Sequence, residues 1–249
     1  MKMSLMAATK DIFQTKGVVK IYNGKRVVDN VDITLKRREI SGLLGPNGAG
    51  KTTTFYMMTG LIKPDKGAVF LDDVDITGEP VYLRARKGIH YLPQEPSIFR
   101  KLTVEENLLA IMEGINIPRY EIKERTERLL TELKISHLAK RIASSLSGGE
   151  RRRLEITRAL VTEPRFMLLD EPFAGIDPLA IDDIKKIVRQ LKARGIGIII
   201  SDHNVRETLD VCDYAYIINR GEIIEEGNPD RIINSDIARN TYLGEHFSM

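Results

Sequence analysis

Cysteine occurs once, as Cys212, so the chain cannot close a disulfide on itself and suits a reducing compartment. Long apolar runs are missing too. The longest are about five residues, against the roughly 18 that a bilayer span needs, so no direct membrane insertion is expected. The start, residues 1–10, carries no apolar run long enough for a secretory leader. Charge of one sign is scarce: 38 basic against 35 acidic residues leave +3, too small a surplus to point to nucleic acid or a lipid surface. Internal repeats and low-complexity tracts are absent. What is present is a 249-residue chain, 42% hydrophobic and 29% charged. That is enough for a sizeable core without a structural metal.

Short runs of β-branched and apolar residues at 18–22, 27–35 and 39–44 read as strands, broken by the turn signals Asn23-Gly24 and the polar 36–38. Residues 68–71 and 89–92 read the same way. The middle differs. Apolar residues fall at helical spacing over 104–115, behind Thr103 as N-cap with Glu106 three residues on. Two further amphipathic helices are expected at 121–133 and 150–161. No strand pattern intervenes between about 94 and 164, which reads as a helical insertion. Alternation then resumes, with strands at 166–169, 196–200 and 214–219 and helices at 179–194 and 204–211. Short, fully apolar strands between helices predict a parallel sheet covered on both faces. The expected class is therefore α/β, with an antiparallel β portion in front and a helical insertion in the middle.

The run Gly45-Pro46-Asn47-Gly48-Ala49-Gly50-Lys51-Thr52 fits the spacing G-x-x-x-x-G-K-[ST], between an apolar strand (40–44) and a helical stretch (51–59). Glycines let backbone N–H groups approach phosphate oxygens, and the helix N-terminus adds its positive end. Lys51 offers a point charge to the β- and γ-phosphates, and the Thr52 hydroxyl suits Mg²⁺. Residue frequencies yield this pattern by chance about 0.01 times in a chain of this length, so nucleotide binding is expected. A second feature is Asp170-Glu171 at the end of the 166–169 strand. Parallel sheets bind ligands at that end. Two acids there are either a strand leaving into solvent or a pair facing phosphates, and the phosphate loop favours the second. Asp170 then suits Mg²⁺ and Glu171 suits a general base for water.

Leu146-Ser147-Gly148-Gly149-Glu150 places Ser147 23 residues before Asp170, and Ser147 with two glycines opening a helix is another anion site. Read alone, it is an ordinary helix cap. With the loop and the acid pair, in this order and spacing, the chain resembles the ATP-binding cassette (ABC) ATPases over about residues 10–247. The resemblance implies a P-loop NTPase with a RecA-like parallel sheet and one cassette spanning 10–249. Its parts are an ATP-binding core of about 10–93 and 164–235, a helical subdomain of about 94–163, and a C-terminal extension of about 236–249. It implies ATP, Mg²⁺ and hydrolysis, in a homodimer where Ser147, Gly148 and Gly149 of one copy meet the γ-phosphate bound by the other. Gln94 matches the glutamine that contacts Mg²⁺ and the attacking water, and His203 the switch histidine near the γ-phosphate. Asp177, in Ala174-Gly175-Ile176-Asp177, matches the loop that crosses the dimer, a mild departure from Ser-Ala-Leu-Asp. Tyr22 matches the aromatic stacked on adenine, and Thr53 completes the phosphate loop. Without the resemblance, Gln94, His203 and Tyr22 are ordinary loop, structural and strand-end residues.

Phe99 and Arg100 fall where the family receives coupling helices from integral-membrane subunits; an aromatic in a Pro-flanked loop is otherwise a local anchor. The stretches 91–99, 102–108, 170–178 and 202–209, with the ending 242–245, resemble the ATPases of lipopolysaccharide export. The alternative is the branched-chain amino-acid importers, which usually carry Glu-His-Asp where this chain has Asp202-His203-Asn204. Either implies a cytoplasmic protein, peripheral on the inner membrane through its partner subunits. A soluble ABC protein of non-transport type usually has two cassettes or long coiled-coil insertions, and this chain shows neither. The basic run Arg151, Arg152, Arg153 reads as a solvated, locally paired helix face. Residues 236–249 read as a helix plus tail with Tyr242, Leu243 and Phe247 on an apolar edge, packed on the core, packed on a second copy, or frayed.

Overall fold

The first apolar runs form two long strands, β1 (Ile12–Tyr22) and β2 (Lys25–Lys36). Asn23 and Gly24 join them, both at positive φ (50° and 76°), the geometry of a tight hairpin. β3 (Ile40–Leu44) leaves for a second sheet, while β4 (Lys66–Leu71) and the short β5 (Val74–Asp75) complete a four-stranded antiparallel sheet ordered β2-β1-β4-β5. The computed structural model describes residues 11–244 and 247; the readings made for 1–10 and for Glu245 lie outside them.

The second sheet takes β6 (Ile89–Leu92), β7 (Phe166–Asp170), β8 (Gly197–Ser201), β9 (Tyr214–Asn219) and β10 (Glu222–Gly227), in the order β10-β9-β3-β8-β7-β6. All pairings are parallel except β10 with β9. β3, β7 and β8 are buried along their whole length, which is why they read as continuous apolar runs. Among the described residues, the helices of six residues or more are α1 (Lys51–Thr59), α2 (Val81–Arg86), α3 (Val104–Gly114), α4 (Arg119–Glu132), α5 (Gly148–Leu160), α6 (Pro178–Ala193), α7 (Val205–Val211) and α8 (Pro229–Asn234), and shorter helical turns include Asp236–Ala238 and Arg239–Leu243. The expected α/β class holds, with the antiparallel sheet in front and only helices between β6 and β7 among the named elements. β5, α2, β10 and α8 were not anticipated. Each is at most six residues long, and β10 reads Glu-Ile-Ile-Glu-Glu-Gly, an edge strand whose acids break the alternation.

The expected cap of α3 is present: Thr103 and Glu106 bond reciprocally. α5 starts two residues earlier than expected, because Ser147 and Glu150 form the same reciprocal cap and draw Gly148 and Gly149 into the first turn. Apolar side chains collect in three places. Phe13, Leu35, Phe55 and Phe166 belong to the cluster between the two sheets. Leu108, Leu154, Ile184 and Val188 belong to the cluster that joins the main sheet to α3, α5 and α6. Tyr242, Leu243 and Phe247 pack partly buried against Leu44, Leu209 and Ile217, so the described end of the chain sits on its own core. Among the described residues, no helix is long and apolar enough to cross a membrane.

Candidate active site

Between the end of β3 and the start of α1, residues 45–50 reverse the chain beside β9. Two glycines there are obligatory. A Cβ on Gly45 (φ +157°) would stand 2.0 Å from the Ile218 carbonyl oxygen, and one on Gly50 (φ +111°) would stand 2.8 Å from that of Val27. α1 has no side-chain cap, so its first N–H groups face the loop. Lys51 is buried, and its Nζ donates to the carbonyls of Gly45 (2.7 Å) and Pro46 (3.1 Å). Burial lowers the Lys51 pKa, while Glu171, Asp170 and Asp202 oppose the shift.

β7 delivers the acid pair. Asp170 is 3% exposed and accepts a hydrogen bond from the Tyr91 hydroxyl at 3.0 Å. Burial pushes its pKa up and the neighbouring Glu171 adds to this; the hydroxyls of Tyr91, Ser201 and Thr52 act in the opposite direction. A buried carboxylate, a threonine hydroxyl and the amide oxygen of Gln94 are hard oxygen donors, a set that fits Mg²⁺. Glu171 follows at φ +45° with its amide donating to Ser201 O at 2.6 Å, so the chain turns sharply and the second carboxylate faces another way. Gln94 Nε2 donates to Glu171 Oε2 at 2.8 Å, and His203 Nδ1 lies 3.3 Å from the same oxygen. Three strand ends, those of β6, β7 and β8, thus bring Gln94, Glu171 and His203 together.

Ser147, Asp177, Tyr22 and Phe99 stand apart from this cluster. Ser147 caps α5. A Cβ on Gly149 would lie 2.9 Å from Ala180 Cβ, and one on Gly148 3.0 Å from Gly175 O, so both glycines also serve packing within this chain. A cleft of about 340 Å³ runs from Gly148 and Arg151 past Gly175 to Gln94 and Glu171. Asp177 is the exposed N-cap residue of α6, without a side-chain cap bond. Tyr22, 45% exposed, ends β1 with Lys20 Nζ 5.5 Å from its ring centre. Phe99 and Arg100 are both exposed. The Phe99 backbone is clamped by the buried Asn107, which accepts from its amide (2.8 Å) and donates to its carbonyl (3.1 Å), and Arg158 lies 4.6 Å over its ring.

One expectation is corrected in part. The arginine run is locally paired, Arg152 with Glu155, but it is not a solvated face: Arg152 is 6% exposed. It donates to Pro93 O (3.1 Å), Asp170 O (3.3 Å) and Glu155 Oε2 (2.9 Å), and Arg153 pairs with Asp183. α5 is packed between the sheet and its helical neighbours, so Arg152, Arg153 and Arg158 point into contacts. Arg152 thereby ties together the strand ends that precede Gln94 and Glu171, a role no local pattern signalled. Tyr91 and Asp202 were missed as site residues. Each is a polar group in an apolar strand environment, which was the available signal. Near the C-terminus, burial raises the Tyr242 pKa, and the nearby Gly45 amide of the phosphate loop acts in the opposite direction.

Comparison with known proteins matches residues 28–174 to the family described as ABC transporter. The lipopolysaccharide export system ATP-binding protein LptB of Haemophilus influenzae is 50% identical over 239 residues, covering 96% of this chain and 99% of its own. The protein of the same name from Escherichia coli K12 is 50% identical over 235 residues, 94% of this chain and 98% of its own. A probable ABC transporter ATP-binding protein of Azorhizobium caulinodans is 55% identical over 233 residues, 94% and 83% of the two chains. The crystal structure of the ADP conformation of MJ1267, an ATP-binding cassette of an ABC transporter, is similar at a TM-score of 0.84 and 33% identity, over 94% of this chain and 99% of that one.

Proposed function

The chain belongs to the ABC transporter family, and from that premise we propose that it is the ATP-hydrolysing subunit of a lipopolysaccharide exporter, bound to integral-membrane subunits at the cytoplasmic face of the inner membrane. The observation that carries the export reading is the end-to-end match, 96% of this chain against 99% of a lipopolysaccharide export protein. The core is taken as about 10–93 and 164–235, the helical subdomain as about 94–163 and the extension as about 236–249.

ATP lies along 45–53 with its adenine on Tyr22. Lys51 exchanges two neutral carbonyls for the charged β- and γ-phosphates, the stronger acceptors. Thr52, Asp170 and Gln94 hold Mg²⁺, which when bound supplies Lewis-acid charge to phosphate oxygens. Glu171 takes a proton from the attacking water as its oxygen bonds to the γ-phosphorus and the β–γ bridge breaks. Gln94 and His203, both at Glu171 Oε2, keep that carboxylate aimed. Lys51 and His203 offset the developing charge.

Ser147, Gly148 and Gly149 of a second copy close over the γ-phosphate, with Asp177 at the junction, so ATP binding shifts the population toward a closed homodimer. Phe99 and Arg100 receive the membrane subunits. Their loop is hooked to α3 by Asn107 and to α5 by Arg158, and Arg152 carries α5 to the strand ends beside Gln94 and Glu171.

Affinity capture from detergent-solubilised membranes tests the whole reading. Integral subunits of a lipopolysaccharide exporter are expected, with weaker capture for Phe99→Ala and Arg100→Ala at unchanged ATP binding. Capture of amino-acid importer subunits overturns it.

A further inference from the structure

Asp202 lies next to His203 and has no part in the mechanism above. Its side chain is fully buried, at 0% exposed. Oδ2 accepts the Phe173 amide at 3.0 Å and Oδ1 accepts the Asn204 amide at 2.8 Å. The same Oδ1 lies 3.4 Å from His203 Nδ1, the atom that also lies 3.3 Å from Glu171 Oε2. Burial raises the Asp202 pKa and the nearby Glu171 adds to this; the two amides and His203 act in the opposite direction. A buried carboxylate is costly unless its oxygens meet donors. Here the donors come from two strand ends, Phe173 after β7 and His203-Asn204 after β8. One side chain therefore joins the turn carrying Glu171 to the segment carrying His203.

The imidazole has two edges. Two carboxylates face Nδ1, so that nitrogen must carry a hydrogen to be a partner rather than a repelled lone pair. His203 is otherwise open, with its side chain 59% exposed, and little else fixes its ring. A carboxylate oriented by two amides is a rigid reference for it, in the way outer-shell partners orient ligand histidines.

We propose that Asp202 is a positioning residue for hydrolysis: its carboxylate, with Glu171, holds His203 with Nδ1–H turned inward, so that the ring, as an imidazolium in the transition state, presents Nε2–H to the nucleotide. The proposal rests on the reading of Glu171 and His203 as hydrolytic residues, and extends it. A hydroxyl at this position satisfies one amide, and an asparagine turns a donor toward one of the two N–H groups. Neither reproduces two acceptor oxygens.

Two measurements on the full chain test this. The first is ¹⁵N NMR of histidine-labelled wild-type protein without nucleotide at pH 8, with His203→Gln identifying the signal. A protonated, pyrrole-type Nδ1 is expected; a pyridine-type Nδ1 overturns the proposal whether or not any variant folds. The second is turnover by Asp202→Asn. kcat is expected to fall about tenfold or more, the lower end of outer-shell effects. KM for ATP and the Kd of a non-hydrolysable ATP analogue should stay within about twofold. A kcat within twofold of wild type overturns the proposal. Wild-type turnover by Glu171→Gln would instead remove the reading beneath it, so the two failures are distinguishable.

Discussion

Glu171 occupies a backbone region that non-glycine residues rarely adopt, at φ +45°, and is held there by its amide bond to Ser201 and by Asp202 on Phe173. Such strain costs on the order of 1–3 kcal/mol and persists where surrounding contacts over-determine it. The return is a carboxylate turned away from Asp170, although the two residues are adjacent. Glu171→Gln keeps the shape and removes the base. Its kcat should fall at least about 100-fold, within the range for a lost general base, while equilibrium titration with a fluorescent ATP analogue shows binding retained. Wild-type turnover would refute the assignment. At this scale Lys51, Thr52, Asp170 and Glu171 were legible because contiguous motifs carry them. Arg152 was not, since three arginines in a row look the same whether a helix face is solvated or packed.

Among the elements, α2 shows how a short unanticipated helix serves the phosphate loop. Arg84, 1% exposed, donates from its guanidinium to the carbonyls of Met57 (2.8 Å), Met58 (2.6 Å), Thr77 (3.0 Å) and Glu79 (2.9 Å). Met57 and Met58 lie in the last turn of α1, so a cation from α2 caps the C-terminal end of the helix whose N-terminal end faces the phosphate loop. Burial lowers the Arg84 pKa to about 10, which leaves it charged at neutral pH. Arg84→Met removes the guanidinium from four carbonyls, of which Met57 O keeps the Gly60 amide as a donor. A loss of about 3 kcal/mol is expected, or roughly 6–12 °C in melting temperature by differential scanning calorimetry. A change under about 2 °C would show that water replaces the guanidinium. The pattern Val-Tyr-Leu-Arg-Ala-Arg carried no sign of this, because its register follows from where α1 ends, not from its own periodicity.

For the molecule as a whole, the main sheet has apolar cover on both faces, and a half-buried basic group on its edge strand β6 makes stability depend on pH. His90, on β6, is bonded to Thr162 at 2.9 Å, and burial lowers its pKa to about 4. The unfolded chain binds a proton near pH 6.5 that the folded chain refuses until about pH 4. Stability is therefore fully present above about 6.5 and is lost as pH falls toward 4, by up to about 3 kcal/mol. Urea midpoints measured between pH 7 and 4 should fall more steeply for wild type than for His90→Gln. Parallel curves would exclude His90 as the acid-sensitive group.

The sequence by itself determined the order and type of the long elements, the phosphate loop and the acid pair. Strand and helix periods and loop chemistry act over a few residues, so they are written locally. Only the tertiary structure decided which strand ends share an edge. Gln94 and Glu171 are 77 residues apart in the chain and 2.8 Å apart in space, because β6 pairs with β7 and β7 with β8. Strand neighbours follow from packing the whole sheet between its helices and the antiparallel layer, a long-range balance that no window of the chain contains. The same balance buries Arg152 and Asp202, whose polar side chains acquire their roles only from the elements brought against them.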